Sequence, residues 1–505
     1  MSGKKGTTPQ LIVVICLCVF IGIEFIIATG LPERLREWNN NLDSPVSADG
    51  AVGKDQNASD VGTSSQDDIN PPSDQEKPTV PSSPDNKNEN DKNQQASTPF
   101  DDKTENNNEQ SSSSEQETSP IPTNSDNSRN ENQQLSTLTP TPSGSEADNL
   151  ESDILSEQVN QIMDQLTLEQ KIAQMFIITP TALTGYQRVT AAGKVTQDAF
   201  IKYPVGGMIY MSPNLINRSQ TKSMLENMQK YSNELLGLPI FLGVDEEGGT
   251  VARIAGNEAF QIKNIGNISE IGAGGNLEEA CETGRYIGGY LKELGFNLDF
   301  APVADVWSNE KNTVVKYRSF GSDAALVRDM VTAELKGLHE KNILGVVKHF
   351  PGHGSTTEDS HKGAAIVNKT LQELKECDLI PFVGAIESGV SFIMVGHLSL
   401  PQITEKNIPA VLSQEIIQGL LREELGYQGI IITDALDMEA VTNSYSSAQA
   451  CVLAVKAGAD ILLMPQDFPA AYQGLLDAVK NGEITEERID ESVRRIVRVK
   501  LSELQ

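Results

Sequence analysis

A chain of 505 residues has room for about three domains, but its composition is too uneven for three. The formal net charge of −30 argues against nucleic acid as a partner, because phosphate binding needs a basic surface. Of the five cysteines, Cys281, Cys377 and Cys451 lie past residue 154; they show neither zinc-ligand spacing nor a disulfide framework and read as core residues.

In chain order, residues 1–10 are polar and carry Lys4 and Lys5, and residues 11–31 are almost wholly apolar, interrupted by Glu24. Residues 11–23 alone would suit a signal-peptide core, whereas residues 11–31 just span a bilayer. Ala28-Thr29-Gly30 only approximates a small-residue cleavage site, and neither Cys16 nor Cys18 follows a small residue as lipoprotein processing requires. An uncleaved anchor is therefore expected within residues 1–36, with a short cytoplasmic stub and the bulk of the chain outside. Residues 37–153 are rich in Ser, Asn, Asp, Glu and Pro and nearly free of large apolar side chains. Such a segment buries too little surface to offset its ordering entropy, so a disordered linker is expected. A coil of about 115 residues reaches on the order of 60 Å, a tether that holds a domain off a membrane.

Residues 154–505 alternate between apolar runs and amphipathic patterns. Strands are predicted at 175–179, 205–211, 239–245, 296–304, 343–349, 392–397, 429–434 and 460–464; most are continuous apolar runs, as expected for strands covered on both faces. Thr167-x-x-Gln170 predicts a capping box ahead of the first strand, and Thr485 an N-cap for a last helix with Ile489, Val493, Ile496 and Val497 on its apolar face. Eight strands alternating with helices predict an α/β fold, a (β/α)8 TIM-type barrel forming a single catalytic domain.

Ionisable residues fall at the ends of several predicted strands: Asp245, Asp305, Lys348-His349, His397 and Asp434. On a closed barrel these ends converge, which makes a pocket lined with acids, bases and donors. The densest stretch is Lys348-His349-Phe350-Pro351-Gly352-His353-Gly354, followed by Asp359-Ser360-His361; it holds three of the five histidines. In Asp359-x-His361 the two side chains share one side of an extended segment, and a carboxylate beside an imidazole suits it to acid/base work. Gly248-Gly249 predicts a tight turn after Asp245. Arg253 and Arg318 offer forked donors for oxygen ligands, with a surface salt bridge as the competing reading for each. A metal site at His349 and His353 is not expected, because Pro351-Gly352 between them forbids the helix that their i, i+4 spacing needs.

Four motifs carry a resemblance to a known family. Asp245-Glu246-Glu247-Gly248-Gly249-Thr250-Val251-Ala252-Arg253, Tyr317-Arg318-Ser319-Phe320-Gly321, the Lys348–His361 stretch and Ile432-Thr433-Asp434-Ala435-Leu436-Asp437-Met438 resemble, in order, those of the β-N-acetylhexosaminidases of glycoside hydrolase family 3. The Lys-His-Phe-Pro-Gly-x-Gly-x4-Asp-x-His pattern is similar to the N-acetylglucosaminidase branch. The resemblance implies that Asp434 is the nucleophile and His361 the acid/base, oriented by Asp359. It implies that Asp245, Arg253, Arg318, Lys348 and His349 hold the sugar, and that no cofactor or metal is needed. Thr250 stands where the family usually has Arg, a position that is not a principal sugar ligand. The expected partners are N-acetylglucosamine-containing oligosaccharides or muropeptides, acted on by a monomer anchored at a bacterial cell surface, or secreted if the anchor is cleaved. Phosphorolysis at the same site is the alternative reaction. A non-catalytic sugar-binding module and a metallohydrolase are the remote alternatives.

Overall fold

The computed structural model describes residues 146–357, 363, 365–404 and 408–504. The expected membrane segment, most of the expected linker, and Asp359 and His361 lie outside the described residues. Among the described residues no helix is long and apolar enough to cross a membrane.

Eight parallel strands form one sheet: β1 (Phe176–Ile178), β2 (Gly207–Ile209), β3 (Phe241–Val244), β4 (Leu298–Asp299), β5 (Leu344–Phe350), β6 (Phe392–Val395), β7 (Ile430–Thr433) and β8 (Leu462–Leu463). From β1 to β7 each pairs with the next in sequence, and β1 also pairs with β8. A single parallel bridge, Ile432 to Ile461, joins β7 to the residue before β8 and all but completes the ring. All eight predicted strands are present, and every residue in them is buried. Apart from β5, the structured strands are shorter than the apolar runs, most of all at β4. There Pro302 lacks the N–H that a continuous ladder needs, although Val346 N–H still reaches Ala301 O at 2.8 Å and Val303 bridges to Lys348.

The helices that cover the sheet are α1 (Glu146–Gln165), α2 (Leu168–Gln174), α3 (Lys194–Lys202), α4 (Arg218–Leu236), α5 (Leu277–Leu294), α6 (Ala324–His339), α7 (Ile380–Glu387), α8 (Glu415–Glu424), α9 (Ser447–Ala457), α10 (Phe468–Lys480) and α11 (Glu486–Glu503). α1 begins at Glu146, inside the stretch read as linker, and packs on α11, where Arg494 donates to Asn160 Oδ1 at 2.6 Å. Thr167 and Gln170 cap α2 reciprocally, at 3.2 and 3.0 Å, and Thr485 caps α11. A cap of this kind contributes about 1 kcal/mol. The apolar face of α8, formed by Ile416, Ile417, Leu420 and Leu421, is buried on a widened π-type turn.

The amino-terminal end of the barrel is closed by buried polar groups. Asp460, ahead of β8, accepts from Ile431 N–H (2.9 Å), Ser492 Oγ (2.6 Å) and Arg495 (3.1 Å), and pairs with Arg422 of α8. Lys500 of α11 enters the same end, donating to Gln174 Oε1 at 2.8 Å and lying over the Phe241 ring. These contacts hold the strand starts in register and leave the opposite, carboxyl end open for chemistry. Cys281 and Cys451 are buried as expected, whereas Cys377, which ends a short helix, is only half-buried; all three are free thiols.

Candidate active site

The strand ends deliver their ionisable residues to one place. Lys348, in β5 and 3% exposed, donates from Nζ to Asp245 Oδ1 (3.1 Å), just past β3, and to Glu247 (2.6 Å). Arg318 clasps the same Glu247 with two hydrogen bonds of 2.7 and 2.8 Å. Its guanidinium also comes within 3.5 Å of His349 Nε2. Arg253 sits further out, with Nη2 at 4.0 Å from Asp245 Oδ2. Glu247 thus binds two cations within the pocket wall, and Arg318 is not a surface salt bridge but a buried one.

The hairpin after β3 makes this arrangement possible. Gly248 and Gly249 both adopt positive φ, 91° and 55°, and a Cβ on either would run into Ile265 or Asn267. The turn brings Val251–Ala252 back against Glu246–Gly248 and returns Arg253 toward Asp245.

His349 is fixed from both sides. Its Nδ1 lies 2.7 Å from Asp305 Oδ2, and Asp305 Oδ1 accepts from the His353 and His349 N–H groups at 2.7 and 3.3 Å. The ring thus spans the two, with Nδ1 toward the Asp305 carboxylate and Nε2 toward the Arg318 guanidinium. Burial works against ionisation of Asp305, but the His349 ring and His353, through its N–H, hold its carboxyl below the usual carboxylate range. Burial pushes His353 down, which keeps it neutral; its Nδ1 meets Thr356 Oγ1 at 2.9 Å.

Asp434 follows β7, half-buried at the barrel mouth. Its N–H donates to Val395 O of β6 (2.9 Å), and its Oδ1 accepts from Ala435 N–H (2.7 Å). His397, past β6, reaches the same turn, donating from Nε2 to Ala435 O at 2.8 Å. Burial disfavours the charged carboxylate, yet His397, His349, the Ala435 N–H and Lys348 together hold Asp434 below the ordinary range. The same cause operates more strongly at Glu247, where burial is outweighed by Arg318 and Lys348.

Six of the residues singled out from the sequence are therefore gathered at the carboxyl face: Asp245, Arg253, Arg318, Lys348, His349 and Asp434. Glu247 and His353 were given no role there, and Asp305 was noted only as a strand-end acid. The signal for Glu247 was present, because i, i+2 spacing puts it on the same side of an extended chain as Asp245. A hollow of about 950 Å3 opens away from this site, between α6 and α7 near Ile343–Gly345 at the other end of β5.

A parallel α/β barrel with buried, mutually paired acids and bases at the carboxyl ends of its strands has the architecture of a barrel enzyme. Residues 167–499, well over half of the chain, match the family described as glycosyl hydrolase family 3 N terminal domain, and the chain belongs to that family. Beta-hexosaminidase A of Pseudoalteromonas piscicida is 34% identical over 324 residues, covering 59% of this chain and 54% of that protein. Beta-hexosaminidase LpqI of Mycobacterium tuberculosis is 35% identical over 272 residues, covering 52% of this chain and 68% of that protein. Among solved structures, the glycoside hydrolase family 3 beta-N-acetylglucosaminidase from Paenibacillus sp. str. FPU-7 superposes with a TM-score of 0.62 at 36% identity, covering 66% of this chain and 62% of that one. The matched region is little more than half the length of the first of these relatives.

Proposed function

We propose that the protein is a retaining exo-β-N-acetylglucosaminidase that removes non-reducing terminal N-acetylglucosamine from peptidoglycan fragments or chitin oligosaccharides. The observation that carries this reading is the ionised, strand-end carboxylate of Asp434 beside the Asp245–Lys348–Glu247–Arg318–His349 network. Relatives named beta-hexosaminidase and a solved structure named beta-N-acetylglucosaminidase support the sugar class.

In this mechanism Asp434 attacks the anomeric carbon as the glycosidic C–O bond breaks, forming a glycosyl ester. His361, with Asp359 beside it, gives its proton to the departing oxygen. In the second step His361 takes a proton from water, the water oxygen bonds to the anomeric carbon, and the ester bond to Asp434 breaks. Asp245 and Arg253 supply an acceptor and a donor for sugar hydroxyls, and Lys348 and Arg318, fixed by Glu247, present cationic donors at pre-set positions. Because these cations are already paired, they need little reorganisation when the substrate arrives. The amino-terminal anchor and linker would place this domain outside a bacterial membrane, within reach of cell-wall fragments.

The test is release of nitrophenol from 4-nitrophenyl N-acetyl-β-glucosaminide by the full chain, with and without EDTA and phosphate. Turnover indifferent to EDTA, and reduced at least a thousandfold (about 4 kcal/mol) in Asp434→Asn, is expected. Activity abolished by EDTA, or retained in Asp434→Asn, overturns the reading. A sugar 1-phosphate product would move the acceptor from water to phosphate.

A further inference from the structure

Glu246 is the middle of three consecutive acids, and the alternation of an extended chain turns it away from the pocket that Asp245 and Glu247 face. It is 0% exposed. Both of its carboxylate oxygens are in use: Oε2 accepts from Ile254 N–H at 2.8 Å, and Oε1 accepts from Ala255 N–H and Tyr290 O–H, each at 2.8 Å. Its own N–H donates to Asp299 Oδ1 at 3.0 Å. The side chain therefore ties the residues just past the far arm of the hairpin to α5, and the backbone N–H ties Glu246 itself to the end of β4.

The segment that Glu246 grips follows directly on Arg253, whose side chain has weak restraints of its own. It is 31% exposed, and among the described residues its one ion pair is the 4.0 Å approach to Asp245 and its buried Nε has no hydrogen-bond partner. An arginine held so loosely by its head takes its aim from its backbone. The unspent Nε–H also leaves the fork with a donor available for an oxygen of a bound ligand.

We propose that Glu246 is a positioning residue: its carboxylate clamps the backbone at Ile254 and Ala255 and thereby aims Arg253 at the sugar oxygens bound beside Asp245. The inference rests on the reading of Arg253 as a sugar ligand. Its consequence is that Glu246, which touches no substrate, controls substrate affinity through one other residue.

The experiment is a double-mutant cycle on the full chain, measuring KM and kcat with the nitrophenyl glycoside and the melting temperature of each variant. Arg253→Ala is expected to raise KM about tenfold, the loss of one good polar contact. Glu246→Ala should raise KM to a similar extent with kcat changed much less. Glu246→Gln, which keeps one acceptor for two N–H groups, should fall between. The double variant should have the KM of Arg253→Ala alone, because a residue acting through Arg253 has nothing left to act on. Tyr290→Phe removes a bond to Glu246 without releasing the 254–255 clamp, so it should lower the melting temperature and leave KM in place. Independent, multiplying effects of Glu246 and Arg253 on KM would overturn the proposal, as would a Glu246 variant that loses stability with unchanged KM. If Arg253→Ala itself leaves KM unchanged, the sugar-ligand reading of Arg253 fails first and the positioning role fails with it.

Discussion

Asp434 and Glu334 show how opposite environments separate the carboxyls of one fold. Asp434, among His397, His349 and Lys348, is held ionised despite burial. Glu334, buried on α6, has no such company: burial and the negative charge of Glu247 push its carboxyl up to about 8 from the ordinary 4.5. The folded state then keeps a proton that the unfolded chain releases, so this group costs stability progressively as pH rises from about 4.5 toward about 8. Glu334→Gln cannot ionise and escapes that cost. The melting temperature of Glu334→Gln relative to wild type should therefore rise between pH 5 and pH 8.5. A difference that stays flat over this range would show that Glu334 is not buried as a protonated acid.

The placement of single residues was legible in the sequence where chemistry and strand end coincide. Asp434, Lys348 and His349 terminate apolar runs, and a charge at such a point marks the barrel mouth. Glu246 had no such mark, because three adjacent acids look alike until their hydrogen-bond partners separate them. Asp305 was left without a role because its partner is 44 residues away, in His349.

At the scale of elements, the loop after β4 joins two parts of the site. Asn312 donates to His353 O (2.8 Å) and Thr356 Oγ1 (3.2 Å) and accepts from Val314 and Val315 N–H (2.9 and 3.1 Å). Val315 O in turn accepts from the N–H groups of Arg318 and Ser319. Asn309 donates to Ser355 O and Thr356 O from the same loop. The loop that aims Arg318 is thus fastened to residues 353–356, the approach to Asp359 and His361. Asn312→Ala strands several buried backbone groups, at a cost of about 1–3 kcal/mol. Urea unfolding should show that loss in midpoint with an unchanged slope, accompanied by a lower kcat. Unaltered stability would mean that water replaces the amide.

The eight strands were legible because both faces of each are buried, one under helices and the other in the barrel interior, where Phe241 of β3 meets Phe392 of β6, and this forces continuous apolar runs. The Glu246–Gly248 and Val251–Ala252 hairpin was legible only as a turn: the Gly-Gly pair announces it, but its two short arms carry no strand pattern. The start of α1 at Glu146 was hidden for a related reason. Its first turns are polar, and the helix is sustained by packing further along, at Val159 and Met163 against the core.

On the scale of the molecule, function follows from a division between the two barrel ends. Asp460, Arg422, Arg495, Ser492 and Lys500 close the amino-terminal end with fixed polar contacts. The carboxyl end presents paired acids and bases whose charges are set before a ligand arrives. As the proposed nucleophile, Asp434 becomes covalently bonded to the sugar during turnover. The direct measurement is mass spectrometry of the full chain after reaction with a fluorinated N-acetylglucosaminyl fluoride, which forms the glycosyl ester faster than water removes it. A mass gain of one fluorosugar on the peptide containing Asp434, absent in Asp434→Asn, is the predicted result. An adduct on another residue such as Asp437, or turnover to the inverted anomer with no adduct, would contradict it.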